Sequence, residues 1–506
     1  MLDMALLRVK TESGVVLGLP AGNQAISVFK GIPYAAPPVG ELRWRAPQPV
    51  EPWEGEKEAY AYQFVNMHKR PKKDSFYARE FAPYEFPMSE DCLYLNIWTP
   101  AEKADEKLPA AIWFHGGDSH AAKQAFDGEA FAKRGVIMIT VGFRTGIFGS
   151  LSHKELSLES ERETGHYTSG NYSLLDQVAA VKWVRRNIAA FGGDPDKITV
   201  FGQSAGGTAT QRLSSTPLLK GELFGAIMQS AGGLDIRYMS NVATLEEAEA
   251  YGESLFKENG IASVAEARAL DAETVMNLGA SGPEIGMSYL NMKADGYSLL
   301  YTPEETALKN LHQDIHYMIG CTKHEGFAYD GPKTTLEAFK KKSAAMFGDK
   351  ADGYVEAACV DSDAYANLII KNENGDVKLA TCMSWVELQN DLKRPAPYVY
   401  IFTKEAPGGQ GVGAFHSGEH AYVFQTMFRM PRDYDGSDYD LSNTMCDYWT
   451  NFCKTGDPNG EGLPKWTPTE DMRNDPWMME LGLRVGMVRP PETPVSKFIK
   501  EYAYNK

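Results

Sequence analysis

The 506 residues carry 51 basic and 67 acidic side chains, a formal net charge of −16, with 43% hydrophobic and 23% charged residues. That composition excludes disorder, collagen-like repeats and low-complexity scaffolds. The acidic balance argues against a sequence-independent grip on nucleic acid or an anionic membrane. In chain order, residues 5–30 read as short strands, Leu6–Lys10 and Gly14–Gly18, separated by glycine turns. Residues 31–52 hold six prolines and are expected to lack regular structure. Residues 63–88 are charged and aromatic without a period, and read as a long surface loop. From 91 to 202 the apolar runs Leu93–Trp98, Ala110–Phe114, Val136–Val141 and Ile198–Phe201 read as buried strands, and Leu174–Ala190 as an amphipathic helix. Later runs, Gly225–Met228, Ile315–Ile319 and Pro397–Phe402, extend the same sheet. Buried strands alternating with helices predict an α/β fold with a mostly parallel sheet covered on both faces. Residues of about 240–280 and 335–390 are richer in helix formers and are expected as helical insertions above the carboxyl ends of the strands. One α/β unit over residues 1–506 is the economical organisation.

Six cysteines, Cys92, Cys321, Cys359, Cys382, Cys446 and Cys453, are scattered without a C-x-x-C spacing, and reduced thiols are expected. No run approaches the roughly 18 apolar residues of a membrane span. The first residues, Met1 to Leu7, lack the basic-then-apolar pattern of a secretion signal. A cytoplasmic location, with no membrane and no nucleic-acid partner, follows as an expectation.

The chemistry concentrates in Lys197–Gly207, which contains Gly202-Gln203-Ser204-Ala205-Gly206. A G-x-S-x-G string alone is weak. Here it follows an apolar β-branched strand and precedes a small-residue helix start, the context of a serine held on a sharp strand-to-helix turn. A serine hydroxyl needs a base, and the base an orienting acid. His416 lies in the glycine-rich loop 411–418, shortly after the strand ending at Phe402. Glu325 follows the strand that ends near Gly320. A loop carboxylate such as Glu325 is ordinarily just solvated, and gains weight only beside Ser204 and His416. Trp113-Phe114-His115-Gly116-Gly117-Asp118 supplies a glycine turn able to aim backbone amides at a developing oxyanion.

These motifs make the chain resemble the type-B carboxylesterases, the carboxylesterase and cholinesterase branch of the α/β-hydrolase fold. Similar blocks run in order: Gly31–Ala35 with Pro37–Gly40, Glu90–Ile97, Asp176-Gln177, Phe191–Pro195, the stretch to Gly206, Gln229–Gly232, Glu325-Gly326, Gly413–His416, and Trp449 through Gly456–Pro458. The resemblance implies Ser204 as nucleophile, Glu325 as acid and His416 as base. It implies oxyanion amides on Gly117, Asp118 and Ala205, and Ser230 as a second serine supporting the acid. It implies no cofactor, no metal, and a small-molecule ester as substrate, cleaved through an acyl-enzyme.

Two departures stand out. Asp118 occupies a position that is usually Gly or Ala, so its carboxylate must turn away from the oxyanion. A role in a substrate pocket, with His120 nearby, is one reading of it; a turn-stabilising Asp is the other. Cys92 lacks any upstream cysteine to match the disulfide frequent in relatives, which again fits a reduced compartment. Two rival functions remain at this stage: a non-catalytic binding protein of the same fold, and a zinc hydrolase using His416-x-x-Glu419-His420, a string that would need a helix to put both imidazoles on one face. The charges at Lys69, Arg70, Lys72, Lys73 and Asp74 speak against an apolar lipase lid, so soluble esters are favoured. The aromatics Phe64, Phe76, Tyr77, Phe81, Tyr84 and Phe86 are candidates for the entrance.

Overall fold

The structure, a computed structural model, describes residues 6–504 apart from 71–72, 74, 82–85, 118–119, 235–242, 279–290, 327–332 and 409–410. Its organising element is an 11-stranded sheet. Across it the order is Val485–Val488, Met478–Leu481, Tyr398–Phe402, His316–Thr322, Gly225–Gln229, Gly193–Gln203, Leu108–Phe114, Ile137–Val141, Tyr94–Thr99, Ser27–Pro33 and Leu19–Pro20. From Met478–Leu481 through Ile137–Val141 every neighbour is parallel. The outermost pairs at both edges are antiparallel. The sheet is therefore mixed, parallel through its middle and antiparallel at its edges. A separate 3-stranded sheet joins Arg8–Lys10, Val15–Leu17 and Glu56–Glu58.

The apolar runs are continuous because both sheet faces are covered, and side chains along each strand alternate between them. On Leu108–Phe114, Ala110, Ile112 and Phe114 join Ile137, Ile139, Ile198 and Val200 in one core layer. Ala111 and Trp113 join Met138 and Phe201 in the other. Helices Tyr172–Asn187 and Ala205–Ser215 cover the first layer. Helix Gly436–Thr455 covers the second through Leu441, Met445, Trp449 and Phe452.

The sheet also dictates where a site can form. From Leu108–Phe114 the chain passes to Ile137–Val141 on one side, then returns to Gly193–Gln203 on the other. Between these strands the direction of winding reverses, and crevices open at the carboxyl ends of strands at such a switch point. Phe114 leads there into the glycine turn, and Gln203 into Ser204.

Several expectations change in the structure. Residues 63–88 are not simply a surface loop: Phe76–Phe81 form a helix, and Phe76 and Phe81 are buried against Val412 and Phe415. Tyr84 lies outside the described residues. Helices do fill the two insertion regions, as Leu245–Glu258, Val264–Ala269, Ala272–Asn277, Leu336–Phe347, Ala351–Ala357 and Asp363–Asp391. The second half of Asp363–Asp391, however, lies against the sheet and not above it, with Leu379, Cys382, Trp385 and Val386 in the core layer. The final strands and the helix Pro494–Tyr504 went unread in the sequence. Each of the six cysteines is free; Cys359 is exposed and the others are buried. Among the described residues no helix is long and apolar enough to cross a membrane.

Candidate active site

Ser204 sits between the strand Gly193–Gln203 and the helix Ala205–Ser215 with φ 57° and ψ −127°. A non-glycine residue in that region costs on the order of 1–3 kcal/mol and persists only where its surroundings hold it. Here they do. The Ser204 amide donates to the Gln229 carbonyl at 2.9 Å, and the Ser204 carbonyl accepts from Thr208 N at 3.0 Å. The glycines at ±2 are sterically required: a Cβ on Gly206 would enter the Phe114 carbonyl, and one on Gly202 would meet the Gly206 backbone. The serine stays half-buried at the head of the helix.

His416 and Glu325 arrive on loops pinned to each other. His324 N donates to the Ala414 carbonyl at 3.0 Å, and Ala414 N donates to His324 Nδ1 at 2.9 Å. Gly413, at φ 61°, leaves the room that the His324 ring fills. This clamp sets Glu325 and His416 side by side, both buried, with His416 Nδ1 hydrogen-bonded to Glu325 Oε2. Glu325 Oε1 accepts from Thr322 N at 2.8 Å. Burial alone would raise the Glu325 carboxyl; the His416 ring, Lys378 and Ser230 outweigh it and hold the acid below its ordinary range. With Nδ1–H committed to the carboxylate, Nε2 is the nitrogen left to accept a proton.

That nitrogen meets the end of the strand that leads into Ser204, through Gln203 and not through the serine hydroxyl. The side-chain amide of Gln203, the residue before Ser204, lies 3.2 Å from His416 Nε2, and Ser417 Oγ donates to Gln203 Oε1 at 2.9 Å. The glycine turn closes the other side: a Cβ on Gly116 would lie 3.0 Å from the Gln203 carbonyl and 3.3 Å from Ser204 Cβ. Gly117 is exposed beside it. Ala205 is the first residue of its helix, where backbone N–H groups have no intrahelical partner and favour negative charge. Asp118 lies outside the described residues. His120 is half-buried, with its ring 5.9 Å from His68 and 5.0 Å from Phe86. Burial first, then its basic neighbours, push its imidazole down to about 2, so it is neutral at pH 7.

Ser230 adopts φ 52° and is fully buried, its hydroxyl near the carboxyls of both Glu325 and Glu419 without hydrogen-bond geometry to either. Glu419 is fully buried, and desolvation followed by the Glu325 charge raises it to about 8, a neutral acid at pH 7. The sequence placed Glu419 only in the zinc string, and Gln203 only as a letter within the motif. In the structure His416 is engaged by Glu325, while His420 is boxed by Trp113 and Phe126 at 5.4 Å each. Among the described residues no group of three His, Cys, Asp or Glu side chains could hold a metal ion.

The model of the carboxylesterase family matches residues 6–498. The chain belongs to the carboxylesterase family. Fumonisin B1 esterase of Sphingopyxis macrogoltabida is 33% identical over 504 residues, covering 96% of this chain and 88% of that one. Para-nitrobenzyl esterase of Bacillus subtilis is 31% identical over 479 residues, 90% of this chain and 91% of that one. Among solved structures, a PNB esterase superposes with a TM-score of 0.81 at 27% identity, covering 98% of this chain and 99% of that one. This carboxylesterase is a carboxylic ester hydrolase with the α/β-hydrolase fold.

Proposed function

We propose that this carboxylesterase hydrolyses small soluble esters through an acyl-enzyme, with Ser204 as nucleophile, His416 as general base and Glu325 as the acid that orients it. His416 Nε2 takes the Ser204 proton as the hydroxyl attacks the ester carbonyl. Glu325 keeps the proton on Nδ1 and stabilises the imidazolium that forms. Amides of Gly117, Asp118 and Ala205 receive the tetrahedral oxyanion, each worth about 3 kcal/mol if removed. The alcohol leaves with the proton from His416, and water repeats the cycle on the acyl group. Ser230 steadies the acid from behind. His120, with Asp118, contributes to the substrate pocket. No cofactor enters these steps, and the free cysteines fit a cytoplasmic setting.

The observation that carries this reading is the buried Glu325–His416 pair beside a serine turn that backbone packing forces into φ 57°. Its test is a pre-steady-state burst of para-nitrophenol from an activated ester. The wild type should release about one equivalent per site before turnover, and His416→Ala none. Loss of activity on chelation, restored by zinc, would instead support the His416-x-x-Glu419-His420 reading.

A further inference from the structure

Arg432 lies in the irregular stretch between the short turn Met427–Arg429 and the helix Gly436–Thr455. In the structure it joins three segments of the chain, and its side chain is only 6% exposed. Its Nε and Nη2 donate to the two carboxylate oxygens of Glu80 at 2.9 and 2.7 Å. Its Nη1 donates to the Pro407 carbonyl at 2.6 Å. Glu80 belongs to the helix Phe76–Phe81, and Pro407 to the chain that runs from the strand Tyr398–Phe402 toward His416. The guanidinium also lies over two rings, 5.4 Å from the centroid of Phe415 and 5.9 Å from that of Phe76. Phe415 is the residue before His416.

The Phe415 ring has further walls. Phe76 meets it edge-on at 5.0 Å, and Phe81 stands 6.1 Å from it. The segment that carries these two rings and Glu80 is stitched at its ends. Val65 N donates to the Pro87 carbonyl at 3.0 Å, and Ser89 N to the Val65 carbonyl at 2.9 Å. Beside Pro407, Ala406 N donates to the Gly413 carbonyl at 3.1 Å, so the stretch that Arg432 grips is tied to the loop 411–418. Gly418 N donates to the Phe415 carbonyl at 2.9 Å, which closes a tight turn with His416 inside it. A rotation of the Phe415 ring therefore carries His416 with it.

A buried ion pair does little for net stability, because two ions lose nearly as much hydration as they regain in attraction. A bidentate arginine–carboxylate pair does fix geometry, since two parallel bonds must align at once. Stacking of the guanidinium on rings depends on the same alignment. The general base is where such alignment matters, because a misplacement of about 1 Å costs about 100-fold in rate.

We infer that Arg432 and Glu80 are positioning residues for His416, acting through the ring of Phe415. The inference rests on the reading of His416 as the base and names what holds that base in place.

The test uses the full-length enzyme with para-nitrophenyl butanoate. Active sites are counted by a serine-directed organophosphate carried to completion, so misfolded chains drop out of the rate. Glu80→Gln and Arg432→Gln should each lower kcat per titrated site about 10- to 100-fold, with KM little changed. Arg432→Lys keeps the charge but loses the fork, and should recover only part of the rate. Each neutralising variant leaves one buried charge without its partner. Glu80→Leu and Arg432→Met made together remove both charges, and should keep the melting temperature while still losing kcat. Phe415→Leu should lose a similar share of kcat, and adding Arg432→Gln to it should cost little more.

A lower melting temperature with kcat per titrated site intact would make the pair merely structural and overturn the inference. So would a loss carried by KM alone, or a full Arg432→Gln effect in the Phe415→Leu background. Should the variants that remove charge not fold, Arg432→Lys and Phe415→Leu decide it. An undiminished burst in His416→Ala would defeat the reading of the base itself; unchanged kcat in the Arg432 and Glu80 variants beside an inactive His416→Ala would defeat this inference alone.

Discussion

The two turns that meet at the switch point of the sheet are built on opposite terms. At the serine turn, Gly202 and Gly206 have backbone atoms where a Cβ would go, and Ser204 is held at positive φ by a hydrogen bond from its amide to Gln229. At the glycine turn, a Cβ on Gly117 would meet nothing within 4 Å among the described residues. The first turn leaves no room for variation and aims one hydroxyl. The second is tight at Gly116, against Gln203 and Ser204, and open at the exposed Gly117. On the proposed mechanism, the reacting hydroxyl sits on the rigid turn and Gly117 on the permissive one.

The largest effect that would sharpen this contrast lies in the acid. Glu325→Gln keeps the shape of the clamp while removing the charge and the tautomer preference, and kcat should fall about 10⁴-fold with the melting temperature little changed. A drop of only a few-fold, measured by steady-state kinetics on an activated ester, would mean that Glu325 does not orient His416. Next comes Gly206→Ala, which forces a methyl into the Phe114 carbonyl and should destabilise the fold by at least about 3 kcal/mol in urea unfolding. An unchanged midpoint would show that the serine turn is softer than its packing implies.

A smaller effect belongs to Glu419, buried behind the acid. Its carboxyl titrates near about 8 in the folded chain, far above the roughly 4.3 of an unfolded glutamate. The native state therefore holds an extra proton between those values, and stability falls as pH rises through that window by about 1.4 kcal/mol per unit. Glu419→Gln should remove this slope, so the variant gains on the wild type from about pH 5 to about pH 7.5 in urea midpoints. Parallel curves would place the Glu419 titration elsewhere. The smallest change is expected on the permissive side: Gly117→Ala should shift stability by less than about 1 kcal/mol, in either direction. A collapse of the fold in that variant would abolish the contrast between the turns.

The sheet and the serine turn were legible in the sequence for the same reason. Both follow from local rules: continuous apolar runs between turns, and glycines at fixed offsets from a serine. Glu325 was legible only in company, because a carboxylate after a strand is commonplace until another loop brings a histidine to it. Other features depend on residues far apart along the chain. The burial of Phe76 and Phe81 is decided by Val412 and Phe415, the neutrality of Glu419 by Glu325, and the contact of Gln203 with His416 by the clamp between His324 and Ala414. Nothing in the composition of 63–88 announces a helix that docks on the loop carrying His416.

The most direct measurement is labelling with a serine-directed organophosphate, followed by intact mass and peptide mapping. The account predicts a single adduct on the peptide containing Ser204, with ester turnover falling in step with the labelled fraction, and no adduct in Ser204→Ala. Turnover that survives full labelling of Ser204, or an inactivating adduct that still forms in Ser204→Ala, would contradict it.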